Sequence, residues 1–406
     1  MNKMIRSMQD LTWVTHEVDH VLTLFSGGLD STYVIDTLKD KGVKVTALAV
    51  DVGDGIDYAR LKSLADHYKV NLKVIDGKRD FVCEGVLPSI QGQAKYLGIY
   101  PVSSSLTRPI MAKYAVQLAT ELGCGAIIHT ANQSQNSLRR LNGAIERIGY
   151  EGFYGTPYEF SAISRADKTQ ALAASGLSEF SQRSVSGDSN LWCREFESGL
   201  LDNPEQFNVP EGLYYWSVFN KALQLSQNDD QLAITFVQGI PYAVNNQDMP
   251  LIDLVHWINK HAGAYKIGRY SGLEHLEQGE KVLEIREAPA ATLLMEAYRH
   301  LETAVHDVHL LKNKLVQEQI WCQEAVDGNW GSNLQLAAAA FIASTTHKVS
   351  GTVVFKLSHG DFCLCSITAA APLYLTERDD WEIQVSRSRS QLTLGDDQNL
   401  PLAKIA

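Results

Sequence analysis

Apolar residues follow two patterns along the first 182 residues, which are short continuous runs and recurrence at helical spacing. Four short apolar runs have the length of buried strands, at 21–25, 44–50, 72–75 and 126–129. Apolar residues recur at helical spacing between and after them, at 31–41, 59–68 and 136–148. Pro109 marks the expected first turn of another helix. Strands that alternate with helices predict an α/β fold with a doubly wound parallel sheet.

The pattern changes in the second half of the chain. Paired β-rich runs predict two hairpins, at 231–237 with 242–244 and at 352–357 with 362–367. Helical periodicity predicts three helices, at 251–261, 290–305 and 334–344. These elements predict a separate α+β domain. The expected organisation is a polar leader at 1–17, an α/β domain at 18–182, an α+β domain at 183–380 and a polar tail at 381–406.

Composition narrows the kind of protein. The 406 residues carry a formal net charge of −11, which argues against a general nucleic-acid binder. No apolar run reaches the ~20 residues that a membrane span needs, and the first twenty residues contain no secretory signal. Six cysteines, with Cys363 and Cys365 as the close pair, indicate free thiols in a reducing compartment. We therefore expect a cytoplasmic protein.

Ligands bind at the carboxyl ends of strands in parallel sheets, so three loops are candidates, at 26–30, 51–57 and 130–137. The first begins the string Ser26-Gly27-Gly28-Leu29-Asp30-Ser31-Thr32 between a predicted strand and helix. Two glycines allow a tight curl, and the helix N-terminus adds about half a positive charge. The loop contains no lysine and lacks the Walker spacing. These features predict an anion cradle for a nucleotide.

The loop resembles the pyrophosphate loop of the N-type ATP pyrophosphatases, and further motifs resemble the argininosuccinate synthase family. These motifs are Tyr100-Pro101, Ser104-Ser105-Leu106, Arg108-Pro109, Ser186–Trp192, Gly268-Arg269, Glu274, Pro289–Leu293 and Ser350–Val353. The resemblance implies an adenine nucleotide α-hydrolase-like domain, followed by a synthetase domain. It also implies MgATP as co-substrate, with the magnesium held by no protein side chain. The family adenylates the ureido oxygen of citrulline, releases pyrophosphate, and lets the amine of aspartate displace AMP.

The resemblance assigns site residues by position. The ATP site comprises Leu24, Phe25, Ser26, Gly27, Gly28, Leu29, Asp30, Ser31, Thr32, Val50 and Thr130. Val50 replaces an alanine of the family and Thr130 replaces a glycine. Asp30, through the metal or its waters, and Arg108, on a phosphate, are the catalytic candidates. Their alternative roles are a helix cap and a surface charge.

The amino-acid sites depart further from the family. The citrulline-like site comprises Tyr100, Ser105, Asn136, Arg140, Ser186, Glu195, Glu274 and Arg286, and the aspartate-like site comprises Ser104, Asn132, Asn136 and Ser137. Glu195 replaces a serine and Arg286 replaces a tyrosine of the family. The two either pair with each other and fill the pocket, or they bind a substrate with a different polar end. Ser137 replaces the aspartate that faces the incoming amine. Losing that charged partner predicts weak aspartate binding or a different nucleophile.

Three readings follow from these matches and departures. The first is an AMP-forming C–N ligase with citrulline and aspartate as the reference pair. The others are a paralogue with altered substrates and a catalytically silent nucleotide-binding protein. The family usually forms a homotetramer, but its C-terminal helix has no visible counterpart in 386–406. Amino-acid substrates and ATP are the expected partners.

Overall fold

The first half of the chain alternates strands and helices in the computed structural model, which describes residues 3–182, 186–220 and 230–395. Its elements are β1 (Met4–Ile5), α1 (Met8–Glu17), β2 (His20–Leu24), α2 (Leu29–Leu38), β3 (Lys44–Asp51), α3 (Tyr58–His67), β4 (Asn71–Asp76), α4 (Lys78–Asp80), α5 (Leu87–Gln91), β5 (Lys95–Tyr96), β6 (Tyr100–Pro101), α6 (Ser104–Glu121), β7 (Ala126–Ile128), α7 (Ser137–Ile148), β8 (Phe153–Gly155) and α8 (Arg165–Ala174). A π-helical segment, Phe81–Val86, joins α4 to α5.

Six of these strands form one parallel sheet in the order β1-β8-β7-β2-β3-β4. Every residue of β2 is buried, as expected for a central strand that is covered by helices on both faces. The structure therefore confirms the predicted parallel sheet. It also brings the loops after β2, β3 and β7 to one edge.

Residues 4–17 contribute a strand and a helix to this sheet domain, so the prediction of a polar leader is wrong. Met4 of β1 pairs with Tyr154 of β8, which makes β1 an edge strand. Ser7 caps α1 by accepting from the Asp10 amide. Leu11 and Val14 are buried because their spacing of three places them on one helical face.

The second half contains antiparallel sheets and long helices. Its elements are β9 (Ser186–Ser189), β10 (Arg194–Glu197), β11 (Gln231–Val237), β12 (Ile240–Val244), β13 (Gln247–Asp248), α9 (Leu251–Gly263), β14 (Arg269–His275), β15 (Lys281–Glu287), α10 (Pro289–Val305), α11 (Val308–Val326), α12 (Asn333–Thr345), β16 (Gly351–Ser358), β17 (Asp361–Ala369) and α13 (Arg378–Gly395). The strands form a four-stranded sheet, β14-β15-β10-β9, and a five-stranded sheet, β13-β12-β11-β16-β17. Strands β5 and β6 form a separate hairpin.

Two helix predictions need correction. Helix α6 begins at Ser104 and contains Pro109, which was expected in its first turn. The chain also ends its described part in a helix, α13, where the sequence indicated a polar tail without periodicity. Among the described residues, no helix has both the length and the apolar composition needed to cross a bilayer.

The two halves share a hydrophobic core. One buried cluster contains Phe81 and Leu106 from the first half together with Leu293 and Phe355 from the second. The Gln93 side chain donates to the carbonyl of Met295 on α10 at 2.8 Å. Residues 81–106, which precede and begin α6, therefore pack the first half of the chain against the second.

Candidate active site

The loop between β2 and α2 is tightly curled at the carboxyl edge of the sheet. The Phe25 amide donates to the Leu48 carbonyl at 2.8 Å, which extends the sheet pairing beyond β2. Gly27 has a φ of +68°, and a Cβ there would lie 2.7 Å from Cδ2 of Leu61. Gly28 follows as the N-cap of α2. A side chain at position 27 would therefore strain the backbone and would also require the Leu61 side chain to shift.

Hydroxyl groups shape the inside of this loop. The Ser26 hydroxyl accepts from the Gly28 amide at 3.3 Å and lies 3.3 Å from the Ser31 hydroxyl. The Thr32 hydroxyl is fully buried and has no hydrogen-bond partner among the described residues. The first turn of α2 adds backbone amides and the positive end of the helix dipole. This set of donors fits a phosphate group.

The structure gathers the predicted ATP residues at the carboxyl ends of β2, β3 and β7. Leu24 ends β2, and Val50 is buried near the end of β3, where its Cγ1 would lie 2.8 Å from a Cβ on Gly77. Thr130 follows β7 and is half-buried. The replacements at 50 and 130 therefore lie at the nucleotide edge, and their effect on ATP stays a prediction.

Asp30 has a partner that the sequence did not indicate. Lys168 of α8 donates to Oδ1 of Asp30 at 2.7 Å. The Lys168 ammonium also lies 4.1 Å from the centroid of the Tyr158 ring, and the Tyr158 hydroxyl donates to the Asp30 carbonyl at 3.0 Å. The Asp30 side chain is thus part of an ion pair and not a helix cap, since the N-cap of α2 is Gly28 and no side chain makes a capping hydrogen bond there.

Within the described ranges 3–182, 186–220 and 230–395, the protein offers magnesium no cage of side-chain ligands. The described residues contain no group of three or more His, Cys, Asp or Glu side chains that could hold a metal ion. Asp30, the acid nearest the phosphate loop, shares one carboxylate oxygen with an ammonium. These residues do not fit a resident metal site, so any magnesium would depend on oxygen ligands of the nucleotide and on water.

Arg108 connects the two halves of the site. Its Nη2 lies 2.6 Å from Oδ2 of Asp188 on β9, and its Nε donates to the Ser137 hydroxyl at 3.0 Å. Its side chain is 15% exposed, so it is not a simple surface charge. The arginine expected on a phosphate is therefore engaged by an acid and by the residue that replaces the aspartate of the family.

Glu274 lies at the centre of the predicted citrulline-like pocket and accepts from four donors. Its Oε1 accepts from Nδ2 of Asn136 at 2.8 Å and from Nη2 of Arg140 at 2.7 Å. Its Oε2 accepts from the Tyr100 hydroxyl at 3.2 Å and from Nη2 of Arg286 at 2.8 Å. Burial alone would raise the pKa of Glu274, but the two guanidinium groups lower it to about 2. Glu274 is therefore ionised and fully partnered within the protein.

Each guanidinium nitrogen of Arg140 also donates to a protein acceptor. Its Nε donates to the Val326 carbonyl and its Nη1 to the Ser104 hydroxyl, both at 2.9 Å, while its Nη2 serves Glu274. Ser104 and the neighbouring Ser105 are both buried at the start of α6. The Arg140 guanidinium, which was expected to bind a substrate carboxylate, thus joins α7 to α6, α11 and β14.

Glu195 and Arg286 are partners in the structure. They are directly opposite each other on β10 and β15, with Nη2 of Arg286 at 3.4 Å from Oε2 of Glu195. Arg286 also donates to the Pro101 carbonyl at 2.9 Å, and its guanidinium lies 4.1 Å from the Tyr100 ring centroid. Glu284 is a further acid at 3.7 Å, which sequence reasoning missed. The arginine therefore fills space inside the pocket.

Acids outnumber the arginines around this pocket. Asp188 lies opposite Glu195 on the neighbouring strand, and Glu197 is on the same face of β10. Burial raises the pKa of Glu195, and it raises the pKa of Glu197 to about 7. The Glu197 carboxylate accepts from Nε2 of Gln135 at 2.6 Å. A raised pKa favours the neutral form of these acids, and whenever they are ionised they add negative charge to the aspartate-like side of the site.

The remaining aspartate-like residues stabilise their own loop. Oδ1 of Asn132 accepts from the amide and the hydroxyl of Ser134, at 3.2 and 2.7 Å. Ser137 accepts from Arg108 at the start of α7. The backbone of Ser186 lies in β9, while its side chain is outside the described part of the structure.

Family comparisons agree with this architecture. Residues 20–153 match the family described as arginosuccinate synthase N-terminal HUP domain, and residues 185–391 match the arginosuccinate synthase C-terminal domain. A parallel sheet with an anion-binding first turn defines an ATP-using enzyme of the HUP class. More narrowly, the chain belongs to the argininosuccinate synthase family and is an argininosuccinate synthase-like, ATP-dependent ligase, of a family that acts in arginine biosynthesis.

Curated relatives match most of the chain. Argininosuccinate synthase of Ligilactobacillus salivarius is 35% identical over 349 residues, which cover 85% of this chain and 86% of that protein. The enzyme of Dictyoglomus turgidum is 30% identical over 362 residues, 88% of this chain and 90% of that one. The enzyme of Brevibacillus brevis is 32% identical over 369 residues, 88% and 86% of the two chains.

Two solved structures are similar to part of the chain. A U34-tRNA thiolase, NcsA from Methanococcus maripaludis, aligns with 42% of this chain and 63% of its own at a TM-score of 0.29 and 15% identity. NMN synthetase from Francisella tularensis aligns with 43% and 72% at a TM-score of 0.33 and 15% identity. Neither likeness is close enough to carry an argument about function.

Proposed function

We propose that the protein is an AMP-forming ligase, acting in the cytoplasm, for which citrulline and aspartate are a poor substrate pair. Family membership and the curled loop at Ser26–Thr32 support the ATP-dependent half of this proposal. The hydrogen bond from Arg286 to Oε2 of Glu274 occupies an acceptor that a substrate ammonium would need. This observation carries the proposal that the amino-acid substrates differ. The reaction would use MgATP and release pyrophosphate.

The first half-reaction needs positioning more than a protein nucleophile. The acceptor oxygen attacks the α-phosphorus of ATP, the bond to the β-phosphate oxygen breaks, and pyrophosphate leaves with the electron pair. The oxygen becomes a phosphate-linked leaving group, which an amine then displaces as AMP. The loop amides and the α2 N-terminus would hold the phosphates, and Mg²⁺ bound with ATP would neutralise their charge.

Citrulline is a poor fit because its head group would compete with protein groups. A substrate ammonium would have to displace Arg286 from Oε2 of Glu274, and a substrate carboxylate would have to displace Glu274 from Arg140. Both arginines are almost fully buried, and displacement would break the short ion pairs that Glu274 makes with them, although Glu195 and Glu284 remain 3.4 and 3.7 Å from Arg286. Removing one partner of a buried pair typically costs about 3–5 kcal/mol.

Aspartate is a poor fit for a different reason. The carboxylate that faces its amine in the family is replaced by Ser137, whose hydroxyl is already bound to Arg108. Arg108, the nearby cation of this loop, is paired with Asp188. Glu195 and Glu197 would repel both carboxylates of aspartate whenever they are ionised. The amine substrate of this protein is therefore expected to differ from aspartate.

Pyrophosphate release from MgATP tests the proposal. The purified protein is assayed with citrulline plus aspartate and with a panel of other ureido, carboxylate and amine compounds, while AMP and ADP are separated by chromatography. We expect AMP and pyrophosphate in equal amounts, with another pair faster than citrulline plus aspartate. ADP with phosphate would contradict the chemistry, and ATP binding without turnover on any compound would favour the catalytically silent alternative.

The same proposal extends to a homo-oligomer, which the family implies. Edge strand β17 and helix α13 expose apolar side chains, including Leu364, Trp381 and Ile383. Such residues on an edge strand and on the helix that follows it in the chain suit contact with a second copy of the chain. Light scattering coupled to gel filtration measures the oligomer directly, and a monomer at micromolar concentration would contradict this part.

A further inference from the structure

Lys168 is a buried lysine with unused hydrogen-bonding capacity. Lys168 is 7% exposed. Within the described part of the chain, its ammonium donates one hydrogen bond, to Asp30 at 2.7 Å. An ammonium carries three N–H donors. The face of the Tyr158 ring, 4.1 Å away, covers one side of the group. Donors of Lys168 therefore remain for another partner.

The surrounding elements hold this ammonium beside the phosphate loop. Asp30 is the second residue of α2, directly after the loop glycines. Helix α8, which carries Lys168, begins at the Ser164 cap and packs against α2 through a core containing Leu172 and Phe25. The Tyr158 hydroxyl fixes the same turn by donating to the Asp30 carbonyl. Lys168 is thus presented at the N-terminal end of the helix that receives the phosphates.

The charge balance of this turn also bears on an anionic ligand. The Thr32 hydroxyl is fully buried and lacks a hydrogen-bond partner among the described residues. Asp30 alone would repel a phosphate, since both are negative. Lys168 neutralises that carboxylate and adds donors, so the pair is compatible with an anionic ligand where a lone acid is not.

We propose that Lys168 is the phosphate-binding cation of this loop and contacts the polyphosphate of ATP and the released pyrophosphate without requiring magnesium. The inference rests on the proposed function only in taking ATP as the nucleotide. The loop lacks a lysine of its own, and Lys168, 138 residues after Asp30, supplies one from another helix. Losing a charge-assisted hydrogen bond typically weakens binding roughly tenfold to a hundredfold.

Calorimetric titration with inorganic pyrophosphate in EDTA tests this directly. We expect the parent protein to bind, Lys168→Met to bind at least tenfold more weakly, and Lys168→Arg to stay within about threefold. Lys39→Met is the matched control, because Lys39 pairs with Asp36 at 2.8 Å on the same helix but away from the loop. That control should bind pyrophosphate as the parent does.

A double variant separates contact from charge neutralisation. In Lys168→Met the Asp30 carboxylate is left unpaired and could itself repel pyrophosphate. Asp30→Asn with Lys168→Met removes that repulsion. Binding that stays weak in the double variant supports direct contact by Lys168, whereas recovery to the parent affinity would overturn it. Thermal unfolding verifies that each variant is folded.

The parent alone also decides the question if Lys168→Met does not fold. Binding of pyrophosphate in EDTA supports a resident cation, and binding that appears only when magnesium is added overturns it. That second result would leave the proposed ligase function intact. By contrast, a parent that binds neither ATP nor pyrophosphate under any condition would contradict both.

Discussion

The phosphate loop and the amino-acid pocket differ in how their polar groups are satisfied. In the loop, Thr32 and Lys168 keep hydrogen-bonding capacity that the protein does not use. In the pocket, Glu274 accepts from four protein donors and Arg140 uses all three of its guanidinium nitrogens, while Oε2 of Glu195 and Nε of Arg286 are buried without a hydrogen bond among the described residues. The loop therefore has unused donors that suit an anion, whereas the centre of the pocket is occupied by ion pairs within the protein. This difference supports the proposal of a retained ATP half and an altered amino-acid half.

The largest expected effect comes from breaking the pocket's ion-pair network. Glu274→Gln should lower the free energy of unfolding by about 3–5 kcal/mol, because two buried guanidinium groups lose their shared counter-ion. Glu211→Gln is the control, since Glu211 pairs with Arg269 at 2.9 Å but its side chain is 66% exposed. It should cost less than about 1 kcal/mol. Denaturant unfolding measures both, and similar losses in the two variants would mean that the pocket is not a tightly coupled network.

The next effect concerns the shape of the loop. Gly27→Ala should lower the free energy of unfolding by about 2–4 kcal/mol and weaken ATP binding, because a positive φ and a 2.7 Å approach to Leu61 act together. Gly42→Ala provides a matched control, since Gly42 has a φ of +73° with nothing within 4 Å of its added Cβ. It should cost about 1–2 kcal/mol from backbone strain alone and leave ATP affinity unchanged. Equal ATP affinity in the two variants would show that the curl of the loop is not needed.

A smaller effect is the pH dependence that the surplus acids confer. Burial raises the pKa of Glu197 to about 7 from its ordinary value of 4.5, so the folded state binds more protons than the unfolded state between these values. Stability should therefore fall as pH rises from about 4.5 to 7, by on the order of 1–3 kcal/mol. Burial also raises the pKa values of Glu195 and Glu284, which act in the same direction.

Glu197→Gln isolates that contribution. The variant should show a flatter dependence of the unfolding free energy on pH in this window, because an uncharged amide replaces the titrating group. Glu146→Gln, on the exposed side of α7, should leave the dependence unchanged. A parent protein whose stability rises steadily from pH 4.5 to 7 would contradict the assignment of Glu197 as a buried acid.

Local signals account for what the sequence predicted well. The parallel sheet follows from apolar runs such as 21–25, and the loop follows from two glycines between a strand and a helix, since both depend on neighbouring residues. The sequence also named Glu195 and Arg286 as a possible pair. Their positions on β10 and β15 bring them together.

Features that depend on distant contacts were not predicted. Helix α11 was missed because its buried face carries Lys314 and Glu318, which hide the apolar period. Strand β15 was missed for the same reason, with Glu284 and Arg286 buried among its apolar residues. Lys168 has no local motif and gains its meaning from Asp30, far away in the chain.

The catalytic comparison of the parent with one triple variant tests the central claim most directly. The measurement is kcat/KM for citrulline and for aspartate, beside the dissociation constant for ATP, in the parent and in Ser137→Asp with Glu195→Ser and Arg286→Tyr. The two pocket charges are changed together because removing one would strand the other. We predict similar ATP binding in both proteins, slow use of citrulline and aspartate by the parent, and a gain of about tenfold or more in the triple variant, as a restored charged partner is worth about 1–3 kcal/mol. A parent that already uses both amino acids faster than any other pair, with no gain in the variant, would contradict the account.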